Sequence, residues 1–187
     1  MTAMTKAQAL HDLSSIYASR ATGLYGLTLI NQLAHAVQSG HHARAQGLPS
    51  SLVVAALLHD IGHMVHDLGE HPANFGMDDQ HEEIGARWLK SYFGPNVTEP
   101  IRLHVPAKRY LCTVETDYFD KLSKDSVESL ALQGGPMSER EVLNFQKAIH
   151  WQDAVALRRI DELAKDPKGP MPKFEEFSED ILSCILA

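Results

Sequence analysis

Apolar residues recur at the helical period along most of the chain. In the first segment they fall at Ala7, Leu10, Leu13 and Ile16, which places them on one face of a helix. No stretch shows the alternation of apolar and polar residues that is typical of a strand. The pattern therefore predicts helices over residues 5–19, 27–47, 50–63, 80–94, 98–105, 138–148, 151–166 and about 174–186.

Residues that start or stop helices refine these segments. Ser50 or Ser51 can cap the third helix, Pro106 interrupts or kinks the fifth, and Ser138 with Glu141 has the spacing of a capping box. The predicted loops are 64–79, 94–97, 113–125 and 134–138. The chain is therefore predicted to be all-α, with residues 1–187 forming one compact helical domain.

The composition is that of an ordinary soluble globular protein. The chain has 187 residues, of which 44% are hydrophobic and 22% charged, and this is enough for one domain with a substantial core. Its net charge of −7 argues against nonspecific binding to nucleic acid. The apolar run at 52–58 is too short to span a bilayer, and the first residues lack the apolar core of a signal peptide. We therefore predict a cytoplasmic protein with no nucleic-acid or membrane partner, and the oligomeric state stays open.

The stretch LLHDIGH at residues 57–63 places polar side chains at the end of the most hydrophobic segment. Burying His59 and Asp60 there costs free energy unless they are paired or bound to a metal. Adjacent residues on a helix point about 100° apart and cannot readily satisfy each other, whereas a metal ion between them can. Together with His35 and Asp161, this pair resembles the HD-domain superfamily, in which these four positions hold one metal.

Two further histidines extend the set. His81 begins a predicted helix and His104 precedes a proline, and six nitrogen and oxygen ligands exceed what one ion needs. We therefore predict two ions that share the Asp60 carboxylate. Imidazole and carboxylate ligands without cysteine suit iron or manganese rather than structural zinc. The predicted ligands are His35, His59, Asp60 and Asp161 for one ion, and Asp60, His81 and His104 for the other.

Three residues lie at spacings that bring them beside this set. His63 follows His59 by one helical turn and can donate to the site. Lys108 comes one turn after His104, and Arg158 comes three residues before the last aspartate. Two cations beside a metal cluster suggest an anionic substrate, since Arg is well shaped for phosphate-like oxygens. For each cation alone, solvation or pairing with a nearby acid is the simpler interpretation.

The motifs HVPAKRYL and LALQGGPMS, followed by RRID, sharpen this hypothesis. They resemble the diiron oxygenases that cleave the C–P bond of 1-hydroxy-2-aminoethylphosphonates, and the resemblance runs from about residue 25 to residue 161. It implies a mixed-valent Fe(II)/Fe(III) pair, a small phosphonate and O2 as substrates, and phosphate and a carboxylate as products. It also implies that Lys108, Ser126, Gln133 and Arg158 hold the phosphonate.

The same resemblance implies roles near the reacting carbon. His63 would lie against the substrate, and Tyr25 would ligate the second iron in the resting enzyme and withdraw when substrate enters. Asp60, His63 and Tyr25 are therefore the predicted catalytic residues. Thr28 stands where the enzymes for a primary amine carry a glutamate, and it has no charge to pair with an ammonium group.

This departure predicts a head group that donates no hydrogen bonds. A trimethylammonium group fits, with Tyr25 as the nearest aromatic face and Phe75 as a weaker one. The predicted substrate is therefore (R)-1-hydroxy-2-(trimethylammonio)ethylphosphonate, bound by Tyr25 and Thr28 and converted to glycine betaine and phosphate. Three alternatives remain: a 2-amino-1-hydroxyethylphosphonate dioxygenase in which Glu70 or Asp78 serves the amine, a metal-dependent phosphohydrolase, and a silent regulatory module.

Overall fold

The computed structural model describes residues 5–24, 27, 29–66, 68–69 and 72–186. Over these residues the chain is all-α, and strand pairing is limited to an isolated bridge between Phe93 and Ile185. The all-α prediction is confirmed. The α-helices are α1 (Lys6–Arg20), α2 (Gln32–Ala45), α3 (Ser50–Leu58), α4 (Gly62–Val65), α5 (His81–Leu89), α6 (Pro95–Val114), α7 (Lys124–Leu132), α8 (Glu139–Phe145), α9 (Trp151–Leu163) and α10 (Ser178–Cys184), with short 3-10 helices at Pro72–Phe75, Phe119–Lys121 and Phe174–Phe177.

Helix α3 lies at the centre of the molecule. Residues 52–58 are all buried, and α3 packs against α2, α6, α9 and α10. A helix that is apolar on every face is stable only when it is surrounded in this way. Tyr17 of α1 donates a hydrogen bond of 3.0 Å to the carbonyl oxygen of Leu57. None of the helices in the described part of the chain is long and apolar enough to cross a bilayer.

The helix predicted over 50–63 is broken in two. Helix α3 ends at Leu58, residues 59–61 form a turn, and α4 begins at Gly62. The N-cap position of α3 is occupied by Pro49, so the capping role predicted for Ser50 or Ser51 is wrong. Ser50 instead donates from Oγ to Asp180 at 2.6 Å and ties α3 to α10. His59 and Asp60 therefore lie in a turn between two helices rather than in a continuous helix.

Other helix ends also differ from the prediction. Helix α2 begins at Gln32 because the side chain of Asn31 caps it by accepting from the Ala34 amide. Helix α5 ends at Leu89, and Gly94 is the N-cap of α6 rather than the end of α5. In contrast, the predicted capping box of α8 is confirmed.

Helix α6 starts at Pro95, three residues before the predicted start, and runs for 20 residues. Pro100 and Pro106 lie inside it, so the helix is not interrupted at Pro106, and of the two effects predicted there only a kink stays a prediction. An internal proline costs roughly 3 kcal/mol. The long buried face that α6 packs against α3, α5 and α9 offsets that cost.

The stretch 113–132 contains a helix that the sequence pattern did not predict. Helix α7 is short and buries only Ser126 and Leu130, so its apolar period is too weak to detect. Ser123 caps it by accepting from the Ser126 amide. The segment predicted as a C-terminal helix is a 3-10 turn followed by α10, which ends at Cys184.

Candidate metal centre and substrate cavity

Six polar side chains from four helices and one turn meet beneath α3. The Nε2 atoms of His35 and His59 lie 3.1 Å apart, and those of His81 and His104 lie 3.2 Å apart. All six are the predicted metal ligands, and we call them the metal cluster. Its members are His35 on α2, His59 and Asp60 in the turn after α3, His81 on α5, His104 on α6 and Asp161 on α9.

Asp60 lies between the two histidine pairs. Its Oδ1 is 3.3 Å from Nε2 of His59 and 3.6 Å from Nε2 of His81, and its Oδ2 is 3.5 Å from Nε2 of His35. Asp161 faces the first pair, with its Oδ1 3.3 Å from Nε2 of His35. One carboxylate therefore reaches both pairs, and the second reaches one of them.

Hydrogen bonds fix the protonation of three of the imidazoles. The Nδ1 atoms of His35, His59 and His104 lie 2.8, 2.8 and 2.6 Å from the carbonyl oxygens of residues 164, 56 and 101. A carbonyl oxygen only accepts, so each Nδ1 carries the proton and each neutral ring has its lone pair on Nε2. Burial lowers the pKa of His35 to about 3, and it also lowers the pKa of His59 and His104. The rings are therefore neutral.

Lone pairs that face one another repel unless a cation lies between them. The Nε2 lone pairs of three neutral imidazoles, those of His35, His59 and His104, converge on the Asp60 carboxylate. Burial acts to raise the pKa of Asp60, but the surrounding histidines, led by His59, hold it well below its usual range. This donor set fits divalent metal ions with nitrogen and oxygen ligands.

His81 is held differently, by a carboxylate. Its Nδ1 lies 2.9 Å from Oδ1 of Asp79, whose Oδ2 is 2.6 Å from Nδ1 of His63 and 3.4 Å from Nε2 of His66. Burial acts to lower the pKa of His81, but the hydrogen bond to Asp79 and the nearby carboxylates outweigh it and raise the pKa to about 9. Gln80 joins Asp79 to His81 with a φ of 51°, a left-handed conformation that is uncommon outside glycine.

A close approach of α4 to α5 sets the position of His81. A Cβ atom on Gly62 would lie 1.9 Å from the carbonyl oxygen of His81. The missing side chain lets the backbones meet, and the rings of His63 and His81 stack with centroids 3.9 Å apart. The predicted neighbour His63 is therefore brought beside the second histidine pair.

A cavity of about 410 Å³ opens beside the metal cluster. Its lining includes all four residues predicted to hold a phosphonate, which are Lys108, Ser126, Gln133 and Arg158. Lys108 donates from Nζ to Oγ of Ser129 at 2.8 Å. Burial lowers the pKa of Lys108 well below its ordinary value, and the charge of Arg158 adds to this effect. Oε1 of Gln133 is buried without a hydrogen-bond partner among the described residues.

Arg158 is anchored at several points of the same wall. Its Nε donates to the hydroxyl of Tyr118 at 3.0 Å, its Nη1 donates to Asp161, and its Nη2 donates to Oε2 of Glu162 at 2.5 Å and to Oγ of Ser126 at 3.1 Å. The guanidinium group is therefore fixed at the boundary between the metal cluster and the cavity.

Four residues in contact with the predicted site were not predicted from the sequence. Asp79, Ser129, Glu162 and Lys165 all touch predicted site residues. Glu162 and Lys165 follow Asp161 by one and four residues, and that spacing is the signal that could have found Lys165. Asp79 and Ser129 carry no comparable signal, because polar residues beside polar residues are usually solvated.

The predicted head-group residues Tyr25 and Thr28 lie outside the described residues. Leu24 and Leu27 line the cavity, as does Asp78. Phe75 does not, and 81% of its surface is exposed. Glu70, the other acid considered for an amine, is also outside the described residues.

The chain is similar to known phosphonate enzymes. The HD domain family matches residues 27–141. The hydroxymethylphosphonate dioxygenase of Gimesia maris is 44% identical over 157 residues, which cover 83% of this chain and 78% of that protein. The [1-hydroxy-2-(trimethylamino)ethyl]phosphonate dioxygenase (glycine-betaine-forming) of Leisingera caerulea is 40% identical over 144 residues, which cover 77% of this chain and 74% of that one.

Both relatives extend over more than two thirds of each chain, and the matched family covers five of the six residues of the metal cluster, all except Asp161. The fold, the cluster and the cavity agree with this relationship. The chain therefore belongs to the HD-domain family and, within it, to the phosphonate oxygenases.

Proposed function

We propose that the protein is a diiron oxygenase that cleaves the C–P bond of a 1-hydroxyphosphonate. The observation that carries the proposal is the convergence of unprotonated imidazole nitrogens on one shared carboxylate, next to a cavity with buried cations. The names of both relatives support it. The overall reaction balances with O2 as the oxidant, because the carboxylate and the phosphate each gain one oxygen atom.

The chain would hold two ions with the six residues of the metal cluster. When bound, an Fe(II)/Fe(III) pair would supply an Fe(II) that activates O2 and a Lewis-acidic position for the substrate hydroxyl, while the phosphonate itself is the net source of the electrons that reduce O2. Asp60 would be shared between the ions, and its low pKa keeps it ionised for that purpose. Tyr25 would be an additional ligand of the second ion in the resting state.

The phosphonate would lie against the cavity wall formed by α6, α7 and α9. Arg158 supplies positive charge from within the protein, where an anion is bound more strongly than in water. The charge of a bound phosphonate would favour the protonated form of Lys108, whose pKa burial lowers. Oε1 of Gln133 is buried without a hydrogen-bond partner among the described residues, which leaves the Gln133 amide available to a ligand. Ser126 would hold the cations in place through its hydroxyl.

His63 would act on the other side of the substrate. Its Nδ1 is engaged by Asp79 at 2.6 Å, which leaves Nε2 as the ring atom for the ligand. A neutral imidazole there can accept the proton of a substrate hydroxyl. Burial lowers the pKa of His63, and the nearby His81 contributes to the lowering, so the neutral form is favoured.

The first candidate substrate is (R)-1-hydroxy-2-(trimethylammonio)ethylphosphonate, which would give glycine betaine and phosphate. Leu24, Leu27 and Leu132 give the cavity an apolar side, and Asp78 lies on its lining. The apolar residues suit a methylated cation, whereas a primary ammonium needs hydrogen-bond acceptors, and Asp78 is the acceptor on the lining that would serve the primary-amine alternative. Hydroxymethylphosphonate is the second candidate, because the relative from Gimesia maris is named for it.

Steady-state kinetics on iron-loaded protein would separate these candidates. We expect the highest kcat/KM for the trimethylammonium compound and a poor kcat/KM for its unmethylated analogue. A preference for hydroxymethylphosphonate would reassign the substrate and leave the oxygenase in place. Phosphate release that continues without O2 would instead indicate a phosphohydrolase.

Metal analysis and EPR of protein purified under low oxygen test the diiron site directly. We expect about two irons per chain and a signal from a coupled Fe(II)/Fe(III) pair. Asp60→Ala should lose both irons, because it is the shared ligand, whereas His81→Ala should mainly lose the second. An Asp60→Ala protein that keeps two irons would contradict the ligand assignment.

A further inference from the structure

Lys165 is a buried cation in the cavity wall that the proposed function does not use. It follows Asp161 by one helical turn, just beyond the end of α9. Its side chain is 11% exposed and lines the cavity. The Nζ atom donates to Oγ of Ser126 at 2.9 Å and to Oε2 of Glu162 at 3.2 Å, and it lies 3.2 Å from Oδ1 of Asp161.

We propose that Lys165 is a third cation of the substrate site, and that it makes the site selective for a doubly charged phosphonate. This inference rests on the proposed function and adds a residue to it. Lys108, Arg158 and Lys165 all line one wall. If Asp161 served as a metal ligand, the carboxylate of Glu162 would still contact both Arg158 and Lys165. Lys165 then adds positive charge to this wall, which favours a ligand that carries a second negative charge.

The hydrogen bonds around Ser126 support this assignment. The Ser126 hydroxyl donates to Glu162 at 3.0 Å and accepts from both Arg158 and Lys165. Its one proton and both lone pairs are therefore used. Ser126 organises the cations in this arrangement, so the ligand must be held mainly by the cations themselves.

The donors of Lys165 leave one position for a ligand. An ammonium group has three N–H donors, and two of them go to Ser126 and Glu162. The third faces Oδ1 of Asp161, which is also 3.3 Å from Nε2 of His35 and so is shared with the metal cluster. If that oxygen served as a metal ligand, the third donor of Lys165 would be available for a phosphonate oxygen beside the metal cluster.

A structural role for Lys165, in which it only neutralises Glu162 and Asp161, makes a different prediction. Such a lysine would affect folding or metal content, and it would not distinguish ligands of the same shape that differ in charge. Sulfate and methanesulfonate form a suitable pair, because both are fully ionised at neutral pH. Sulfate carries two negative charges and methanesulfonate carries one. Methylphosphonate shows separately whether the cavity binds phosphonates.

The test measures dissociation constants of the three ligands by calorimetry at pH 7 with the iron-loaded, full-length protein. Lys165→Gln keeps a hydrogen-bond donor for Ser126 and Glu162 but removes the charge. We expect it to reduce the preference for sulfate over methanesulfonate by about tenfold or more, as for the loss of a buried charge-assisted hydrogen bond. Lys165→Arg, which keeps the charge, should retain most of the preference. Lys124→Met is the control, because that lysine on α7 is 83% exposed.

Each outcome decides the question. A Lys165→Gln protein that keeps the wild-type preference overturns the inference and leaves the proposed function intact. Equal weakening of both sulfur ligands, or loss of iron in both Lys165 variants, also overturns it in favour of a structural role. Failure of the wild-type protein to bind methylphosphonate overturns the proposed function itself.

Discussion

Asp79 contacts the three histidines His63, His66 and His81 with its two carboxylate oxygens. Its carboxylate orients His81 toward the metals and His63 toward the cavity. We expect Asp79→Asn to weaken binding of the second metal ion by about 10- to 100-fold, since an amide cannot accept from both rings as a carboxylate does. Anaerobic metal titration would measure this effect. Asp78→Asn is the control, and an Asp79→Asn protein with two wild-type sites would contradict the expectation.

At the scale of single residues, functional side chains could be predicted from the sequence where a polar residue interrupts an apolar segment. His35 and His59 sit in apolar segments, so their burial and their need for a partner could be predicted. Asp79 and Lys165 could not be found in this way, because they stand among other polar residues. Their inward orientation depends on the left-handed turn at Gln80 and on the end of α9, which no local pattern indicates.

At the scale of secondary-structure elements, helices α4 and α5 pack closely because residue 62 is a glycine and has no side chain. Gly62→Ala would place a Cβ atom against the carbonyl of His81 and force the helices apart. We expect a loss of about 1–3 kcal/mol in the free energy of unfolding, together with weaker metal binding, measured by urea unfolding and by metal analysis. Gly94→Ala is the control, because the nearest atom to its Cβ is 3.8 Å away.

A Gly62→Ala protein with wild-type stability and full metal content would show that α5 can move away freely. His81 would then owe its position to Asp79 rather than to the helix crossing.

The capping box of α8 gives the stability of the protein a pH dependence. The Glu141 carboxylate accepts from the amide and hydroxyl of Ser138, both at 2.8 Å, and from Arg109 at 2.7 Å. The hydrogen bond from the Ser138 amide, helped by Arg109, lowers the pKa of Glu141 to about 2 from 4.5. The folded-state pKa is the lower one, so the stabilisation is complete above about pH 4.5 and is lost as the pH falls toward 2.

We therefore expect Glu141→Gln to be less stable than wild type at pH 7, with a difference that shrinks below pH 4.5. Urea unfolding at pH 7, 5 and 3 would measure the difference, and Glu139→Gln, an exposed acid of the same turn, is the control. A difference that stays constant over this range would show that the carboxylate charge does not matter.

Helices could be predicted where burial on one side gives a clear period, but their ends could not. The helix predicted over 50–63 breaks after Leu58 although residues 59–61 include neither proline nor glycine. Helix α6 continues through Pro106 although proline favours a break. In both cases packing against other helices decides the outcome, and those contacts join residues far apart in the sequence.

At the scale of the whole molecule, the metal cluster joins residues from position 35 to position 161. Metal ions bound there would hold α2, α5, α6 and α9 together, because unfolding separates all their ligands. At a metal concentration 100 times the dissociation constant, one site contributes about 2.7 kcal/mol, which corresponds to roughly 5–10 °C in a protein of this size. We expect removal of the metal by chelation to lower Tm by at least that amount.

Thermal unfolding followed by circular dichroism would measure this shift before and after iron is restored. Asp60→Ala is the control, since its Tm should not respond to iron. An unchanged Tm after verified removal of the metal would mean that the helices hold the ligands in place without it.

The fold class could be predicted for the whole molecule, and so could the meeting of the six proposed ligands, but the cavity could not. The all-α class follows from the apolar period, and the six residues were selected by their order along the chain. The cavity wall depends on α7, which has a weak apolar period, and on the way its serines meet Lys108 and Arg158. Such long-range pairing is set by the tertiary structure.

Helix α6 carries a proposed metal ligand and a proposed phosphonate ligand one turn apart, at His104 and Lys108. Four residues of helix rise about 6 Å, and that distance is fixed by the backbone. Arg158 and Asp161 repeat the arrangement on α9. The protein would therefore choose which carbon is oxidised by its distance from phosphorus, independently of the head group. 2-Hydroxyethylphosphonate, whose hydroxyl lies one carbon further away, should compete with substrate in inhibition kinetics and yield no phosphate. Substitutions near the head group could then change which phosphonate is accepted, while the bond that breaks would stay the same.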